Sequence, residues 1–234
     1  MPEYTKQSPA TISSLFDAIA KDYDRGNALI SFSLHRLWNR ALTNVLRQNK
    51  PSVFADLCGG TGAITARLCK EIPLSKSYII DFSSGMLEIA KKQLEHLPIE
   101  TLTADVTQVP LKDQSVDAAA MAYGIRNIKD RSQALKEAYR ILKAGGTFAI
   151  LELTRPQNPL LKLLHKAYLM TALPILGKLI TKNKEAYSYL SESVKEFIPA
   201  ATLANEITAA GFINITVRPM SLGAATLITA SKQF

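Results

Sequence analysis

The sequence predicts an α/β fold: a mostly parallel, seven-stranded sheet covered by helices and closed by a C-terminal antiparallel hairpin. Two observations carry this. Short β-rich runs alternate with helical runs across residues 52–153, and such alternation implies βαβ units and a parallel sheet. The chain then ends on two closely spaced β-runs joined by a short Gly-containing loop, the pattern of a hairpin.

Taken in order, residues 1–50 read as a helical cap. Phe16, Ile19, Ala20 and Tyr23 recur at helical spacing, as do Leu34, Leu37, Trp38, Ala41, Leu42 and Val45, and Pro51 ends the pattern. Residues 52–153 form the core. Strands are expected at 53–57, 77–80, 99–103, 116–123 and 147–153, with helices at 63–70, 85–95 and 131–142. Lys143-Ala144-Gly145-Gly146 reads as a helix stop and turn. Residues 155–199 are an insertion: an apolar helix over 160–173, a break at Pro174, and a second helical stretch to about residue 196. In 200–234, a helix over 201–210 stops at Gly211, and strands follow at 213–218 and 225–230. The whole reads as one domain of 234 residues.

Composition excludes several classes. At 47% hydrophobic and 21% charged the chain is neither disordered nor fibrous. Cys58 and Cys69 form no disulfide framework and lack zinc-site neighbours, so a reducing cytoplasm is expected and no metal. The opening Met1-Pro2-Glu3-Tyr4 does not read as a secretory leader. The apolar stretch 167–177 contains Pro174 and falls short of the roughly 20 residues that span a bilayer. The net charge of +8 is dispersed. It reads mainly as solvated surface, with an anionic membrane the better functional partner and nucleic acid the poorer.

The sharpest local signal is Asp56-Leu57-Cys58-Gly59-Gly60-Thr61-Gly62 at the end of the first core strand. Glycines there let backbone approach a ligand closely, at the strand edge where α/β sheets bind ligands. Thr65 occupies the place of the third dinucleotide glycine, and the P-loop lysine is missing, so a nucleoside without phosphate is the better ligand. Asp81 ends the next strand at the spacing of a ribose-binding carboxylate. Met86 suits an adenine face, and Asp105 follows the third strand, placed for an exocyclic amine. Each has a plainer reading: a turn, a helix cap, a core methionine. Their order at three successive strand ends favours one row of ligand-binding carboxylates at positions 56, 81 and 105.

This arrangement resembles a Rossmann-like class I methyltransferase that uses S-adenosyl-L-methionine. Two stretches narrow the resemblance. Tyr23-Asp24-Arg25-Gly26-Asn27, with Ser31 and Phe32-Ser33-Leu34-His35-Arg36-Leu37-Trp38, is similar to the N-terminal signature of the ubiquinone/menaquinone biosynthesis C-methyltransferases. Arg140-Ile141-Leu142-Lys143-Ala144-Gly145-Gly146-Thr147, ending Leu151-Glu152-Leu153-Thr154, and Tyr123-Gly124-Ile125-Arg126-Asn127 resemble further parts of that family. Tyr187-Ser188-Tyr189-Leu190-Ser191-Glu192-Ser193 and Ala210-Gly211-Phe212 extend the match. The chain departs from the family at Gly26 (usually Met), Ala63 (commonly Asp), Ala122 (Ser in some members) and Ala144 (usually Pro).

The resemblance implies methyl transfer from S-adenosyl-L-methionine to a ring carbon of a prenylated quinol: demethylmenaquinol, a demethoxy-benzoquinol of ubiquinone synthesis, or both. It implies that Asp56, Gly59, Gly60, Thr61, Gly62, Asp81, Met86, Asp105, Val106 and Tyr123 hold the cofactor. Arg126, His35 and Tyr23 become the catalytic candidates and Asn127 a substrate ligand. Arginine is always protonated and suits a phenolate rather than a base; Tyr23 and His35 are base or relay candidates. In the insertion, Leu160, Leu161, Leu163, Leu164, Tyr168, Leu169 and Met170 are apolar, beside Lys162, His165 and Lys166. That helix fits peripheral contact with the inner face of the membrane, or a lid over the isoprenoid tail. A homo-oligomer stays open. The rivals are a methyltransferase for another small molecule, an RNA methyltransferase, and a nucleoside-binding protein without turnover.

Overall fold

A computed structural model describes residues 9–171 and 184–234. Three helices open it: α1 (Pro9–Ile19), α2 (Tyr23–Ile30) and α3 (Leu34–Leu46). Next come β1 (Val53–Leu57), α4 (Ala63–Glu71), β2 (Lys76–Asp81), α5 (Ser84–Gln93), β3 (Ile99–Thr103) and β4 (Val116–Ala122). These are followed by α6 (Arg131–Ile141), β5 (Leu142–Leu153), α7 (Pro159–Met170) and α8 (Lys184–Glu196). Helix α9 (Ala200–Ala209) and strands β6 (Ile213–Met220) and β7 (Ala225–Ser231) complete the chain. The expected break at Pro174, with the rest of 172–183, lies outside the described residues.

The sheet runs β3-β2-β1-β4-β5-β7-β6. Strands β1 to β5 pair in parallel, and β7 pairs antiparallel with both β5 and β6. Strand order reverses between β1 and β4, which opens a crevice beyond their C-terminal ends. Alternate strand residues serve opposite helix layers. Phe54, Ala118, Ala120 and Leu151 pack with Trp38, Leu42 and Leu68 of α3 and α4. Ala55, Leu57, Met121 and Phe148 pack with Leu135 of α6, Ile207 of α9 and Phe212. Alanines at 118, 119 and 120 keep the middle of β4 thin, so helices on both faces approach it. Each fully buried Leu or Phe in these layers contributes roughly 1.5–3 kcal/mol.

One expectation is corrected. Residues 143–146 are not a turn between helix and strand; β5 runs through them from Leu142. Leu142 pairs with Val116 and Thr147 with Ala118, so β5 carries extra residues as a bulge. The bulge survives because its polar groups are met. Gly145 N–H donates to Lys232 O (3.1 Å), Gly146 O accepts from Lys232 N–H (2.9 Å), and Lys143 Nζ reaches Asp117 Oδ1 at 2.6 Å. Gly145, at φ +72°, packs so closely on Phe234 that a Cβ would meet its ring at 2.7 Å.

Candidate active site

The turn after β1 divides its glycines by task. A Cβ on Gly59 would meet Ile79 Cγ2 at 2.7 Å, and one on Gly62, the N-cap of α4 at φ +77°, would meet Leu94 Cδ1 at 2.7 Å. Those two let the turn sit on the α5 layer. Gly60, at φ +53°, has nothing within 4 Å of where a Cβ would stand, and it faces open space. Thr61 is buried and donates to the Asp24 carboxylate of α2 (3.1 and 3.3 Å).

Asp81 closes β2 and is almost fully buried. Its oxygens accept from Gly60 N–H and Ser83 N–H, each at 2.9 Å. Burial pushes this carboxyl up, and the amides pull it back. Ser83 caps α5 through Met86 N–H (3.1 Å) and donates to Asp17 Oδ1 of α1 (2.5 Å), which also accepts from Gly85 N–H (3.2 Å). Helix α1 is thereby clasped to the N-terminus of α5. Asp105 is exposed, with Oδ1 accepting from Thr107 N–H at 2.8 Å.

Gly60, Asp81, Met86, Asp105, Val106, Tyr123 and Asn127 line one cavity of about 670 Å³, roofed by Ile12, Phe16 and Tyr23. Cys58 is also in its wall. Gly59, Thr61 and Gly62 shape the turn but do not line the cavity. Asp56 is corrected more sharply: the three carboxylates do not form one row. Leu57, not Asp56, is the last residue of β1, so Asp56 turns beneath the cavity toward α4. There its Oδ2 accepts from Thr65 Oγ1 (2.8 Å) and Thr65 N–H (3.2 Å), serving the first turn of a helix whose N-cap has no side chain. Its Oδ1 is buried without a hydrogen-bond partner. Burial raises this carboxyl from 3.8 to about 7, against the Thr65 bonds.

A second, mostly apolar cavity of about 270 Å³ lies between α1, α2, α3, α7 and α8. Tyr23, His35, Trp38, Arg126, Tyr168 and Leu190 are in its wall. Phe16, Tyr23 and Tyr123 line both cavities and form the wall they share. Phe16 and Tyr23 meet edge to face, with ring centroids 6.1 Å apart. Tyr123 donates its hydroxyl to Asn39 Oδ1 of α3 at 2.8 Å. Burial pushes both the Tyr23 and Tyr123 phenols up, so both keep their protons near neutrality.

Arg126 reaches the apolar cavity already committed. Nη1 bonds Glu152 Oε1 at 2.8 Å and the Tyr123 carbonyl, Nε bonds Ser193 Oγ at 3.3 Å, and the backbone N–H bonds Glu152 Oε2 at 3.2 Å. Arg126 is 3% exposed and Glu152 1%, so the pair is balanced out of water. Asn127 falls on the larger cavity, and its Oδ1 accepts from Tyr189 Oη of α8 at 2.9 Å. His35 is partly buried, with Nδ1 2.8 Å from Ser31 Oγ. Sequence reasoning missed Asp17, Asn39, Glu152, Tyr189 and Ser193. Glu152, Tyr189 and Ser193 lie in stretches that carry the family resemblance and Asp17 and Asn39 in none, but only the tertiary contacts show what each of them does.

The ubiE/COQ5 methyltransferase family matches residues 4–232 of the chain. A demethylmenaquinone methyltransferase of Protochlamydia amoebophila is 43% identical over 99% of this chain and 99% of its own. Another, of Chlamydia caviae, is 40% identical over 92% of this chain and 94% of its own. Among solved structures, a SAM-dependent methyltransferase of Thermotoga maritima has the same fold, with TM-score 0.66 and 21% identity over 94% of this chain and 99% of its own.

Proposed function

The chain belongs to the ubiE/COQ5 methyltransferase family, and from that premise we propose that it methylates a ring carbon of demethylmenaquinol with S-adenosyl-L-methionine. The observation that carries this is the pair of cavities of unlike chemistry sharing the Phe16, Tyr23 and Tyr123 wall. The relatives' names favour a naphthoquinol over the benzoquinol of ubiquinone synthesis.

The residues present fit the cofactor. Gly60 leaves room for close approach, Asp81 offers a buried carboxylate to ribose hydroxyls, and Asp105 an exposed one to an adenine amine. Met86 and Val106 add apolar wall for a flat base. When bound, S-adenosyl-L-methionine supplies a methyl group made electrophilic by its sulfonium. This chain's share is alignment, exclusion of water and control of the quinol proton. Tyr23, holding its proton, acts as a donor at the shared wall, while the Tyr123 hydroxyl is held in place by its bond to Asn39. Arg126, balanced by Glu152, presents a fixed guanidinium to a developing phenolate without the full cost of a lone buried cation.

Membrane contact belongs to the same reading. Leu160, Leu163, Leu164 and Met170 of α7 are exposed, as are Phe32 and Leu37 of the α2–α3 region. Phe32 lies 6.0 Å from the Tyr168 ring, and Tyr168 Oη donates to Ile30 O, so the two elements form one apolar face at the mouth of the smaller cavity. Exposed Lys162, Arg36 and Arg40 accompany it, as contact with an anionic bilayer requires. No helix among the described residues is long and apolar enough to cross a membrane. The face would admit an isoprenoid tail from the bilayer edge. Glutamates at Leu163 and Leu164 should abolish flotation with phosphatidylglycerol vesicles; unchanged flotation refutes the contact.

The reaction is tested with methyl-labelled cofactor and demethylmenaquinol kept reduced. Label on the naphthoquinol ring carbon is expected. Label on oxygen, or equal turnover of unprenylated phenols, would refute the reading.

A further inference from the structure

We infer that His35 is the catalytic base of this site, taking the quinol hydroxyl proton on Nε2, and that Ser31 is a positioning residue that keeps that nitrogen unprotonated. The inference rests on reading the smaller cavity as the quinol site.

The hydrogen bonds decide the tautomer. Ser31 Oγ lies 2.5 Å from the Asn27 carbonyl oxygen, 2.8 Å from His35 Nδ1 and 3.3 Å from His35 backbone N. A carbonyl only accepts, so the single hydroxyl proton goes to Asn27 O. The Ser31 oxygen then has lone pairs alone for its two His35 partners, and Nδ1 must donate. A neutral imidazole protonated at Nδ1 carries its lone pair on Nε2. All three residues lie in the N-terminal stretch that carries the family resemblance, and all three line the apolar cavity.

The other titratable groups in that wall do not compete. Among the described residues they are Tyr23, Tyr123, Tyr168, Tyr189 and Arg126. Burial pushes the Tyr23, Tyr123 and Tyr168 phenols up, and arginine does not give up its proton. Tyr189 is a hydroxyl donor to Asn127. His35 moves the other way: burial first, then Arg36 beside it, lower it from 6.5, while Asp24 of α2 opposes them. The ring is therefore neutral and ready to accept at pH 7.

The step balances. The hydroxyl O–H bond breaks, its proton passes to Nε2, and its electron pair stays on oxygen. The ring carbon forms its bond to the methyl group, while the methyl–sulfur pair remains on sulfur. The hydrogen on that carbon leaves as a proton, the oxygen regains one, and the single net proton departs to solvent through His35.

The test uses full-length protein, methyl-labelled cofactor and a short-chain prenyl demethylnaphthoquinol across pH 5–9. The wild type should show one ascending limb in kcat with a midpoint below 6.5, the ordinary histidine value. His35→Ala should lower kcat about 100-fold or more, leave cofactor affinity within about twofold, and recover in part with added imidazole. Ser31→Ala should lower kcat about tenfold at unchanged KM, and Ser31→Thr should restore it. Nitrogen NMR of the wild-type ring should show the Nδ1-protonated form, a readout that needs no variant to fold. A limb that persists in His35→Gln, or an Nε2-protonated ring, overturns the inference while leaving the methyltransferase reading intact. A wild type inert toward the quinol overturns that reading instead.

Discussion

Replacing Asp56 with Asn separates the floor of the site from its lining. Asp56 is 1% exposed, has one oxygen with no hydrogen-bond partner, and titrates near 7 instead of 3.8. Because the folded protein holds this proton more tightly than the unfolded chain, the contribution to stability is full below about pH 4. It is lost as pH rises through about 7, and flat beyond. A rise of about three units corresponds to roughly 4 kcal/mol at most. Asn keeps an oxygen for the two Thr65 bonds and carries no charge. Asp56→Asn should therefore match the wild type below about pH 4 and exceed it by up to roughly 4 kcal/mol at pH 8. Urea unfolding at fixed temperature across that range reads the difference. Since Asp56 lies beneath the cavity, affinity for S-adenosyl-L-homocysteine should change less than about twofold, well under one hydrogen bond's worth. Parallel stability curves for the two proteins, or a tenfold loss of affinity, would refute the reasoning.

Three further outcomes follow from the same geometry. Asp81→Ala removes a buried carboxylate from the larger cavity and should weaken cofactor binding tenfold or more by calorimetry, since charge-assisted hydrogen bonds contribute roughly 1.5–3 kcal/mol each; unchanged affinity removes Asp81 from the site. Gly60→Val places a branched side chain at φ +53° in open space, so it should cost about 1–3 kcal/mol of backbone strain and eliminate cofactor binding while the circular dichroism stays native. A variant that still binds would show the turn to be structural only. Glu152→Gln strands the Arg126 cation 3% exposed and should destabilise the fold by about 3–5 kcal/mol in denaturant; a loss under about 1 kcal/mol would mean that the pair is hydrated.

The parts of the fold legible in sequence are those where periodicity and turn chemistry agree. Strands β1 and β3 fall on 53–57 and 99–103 as expected, because Pro51, the glycine turn and the polar residues after 103 delimit them locally. The four-residue stretch 143–146 misleads for a physical reason. Its glycines have the local chemistry of a turn, yet their amides and carbonyls are claimed by Lys232, far along the chain. Asp56 misleads by strand parity and position: it lies one residue short of the end of β1, on the face that packs against α4, so its carboxylate meets Thr65 instead of the cavity. Asp81 and Asp105, each at or just past the end of its strand, land on the cavity. Arg126 is legible as a site residue because it follows a strand, but its partner Glu152 sits inside the apolar run of β5, where only the packed structure shows what it faces. Tyr189 and Ser193 lie in a stretch, 187–193, whose family resemblance points to no role, so their bonds to Asn127 and Arg126 are visible only in three dimensions.

Two separate cavities with one shared wall are the core of the account, and a ternary titration tests them most directly. S-Adenosyl-L-homocysteine, which has no methyl to give, is titrated calorimetrically into the protein with and without a reduced short-chain demethylnaphthoquinol. One nucleoside and one quinol should bind each chain together, the nucleoside retaining its affinity when the quinol is present. A protein that binds no nucleoside, or in which either ligand expels the other, would contradict the two-cavity site.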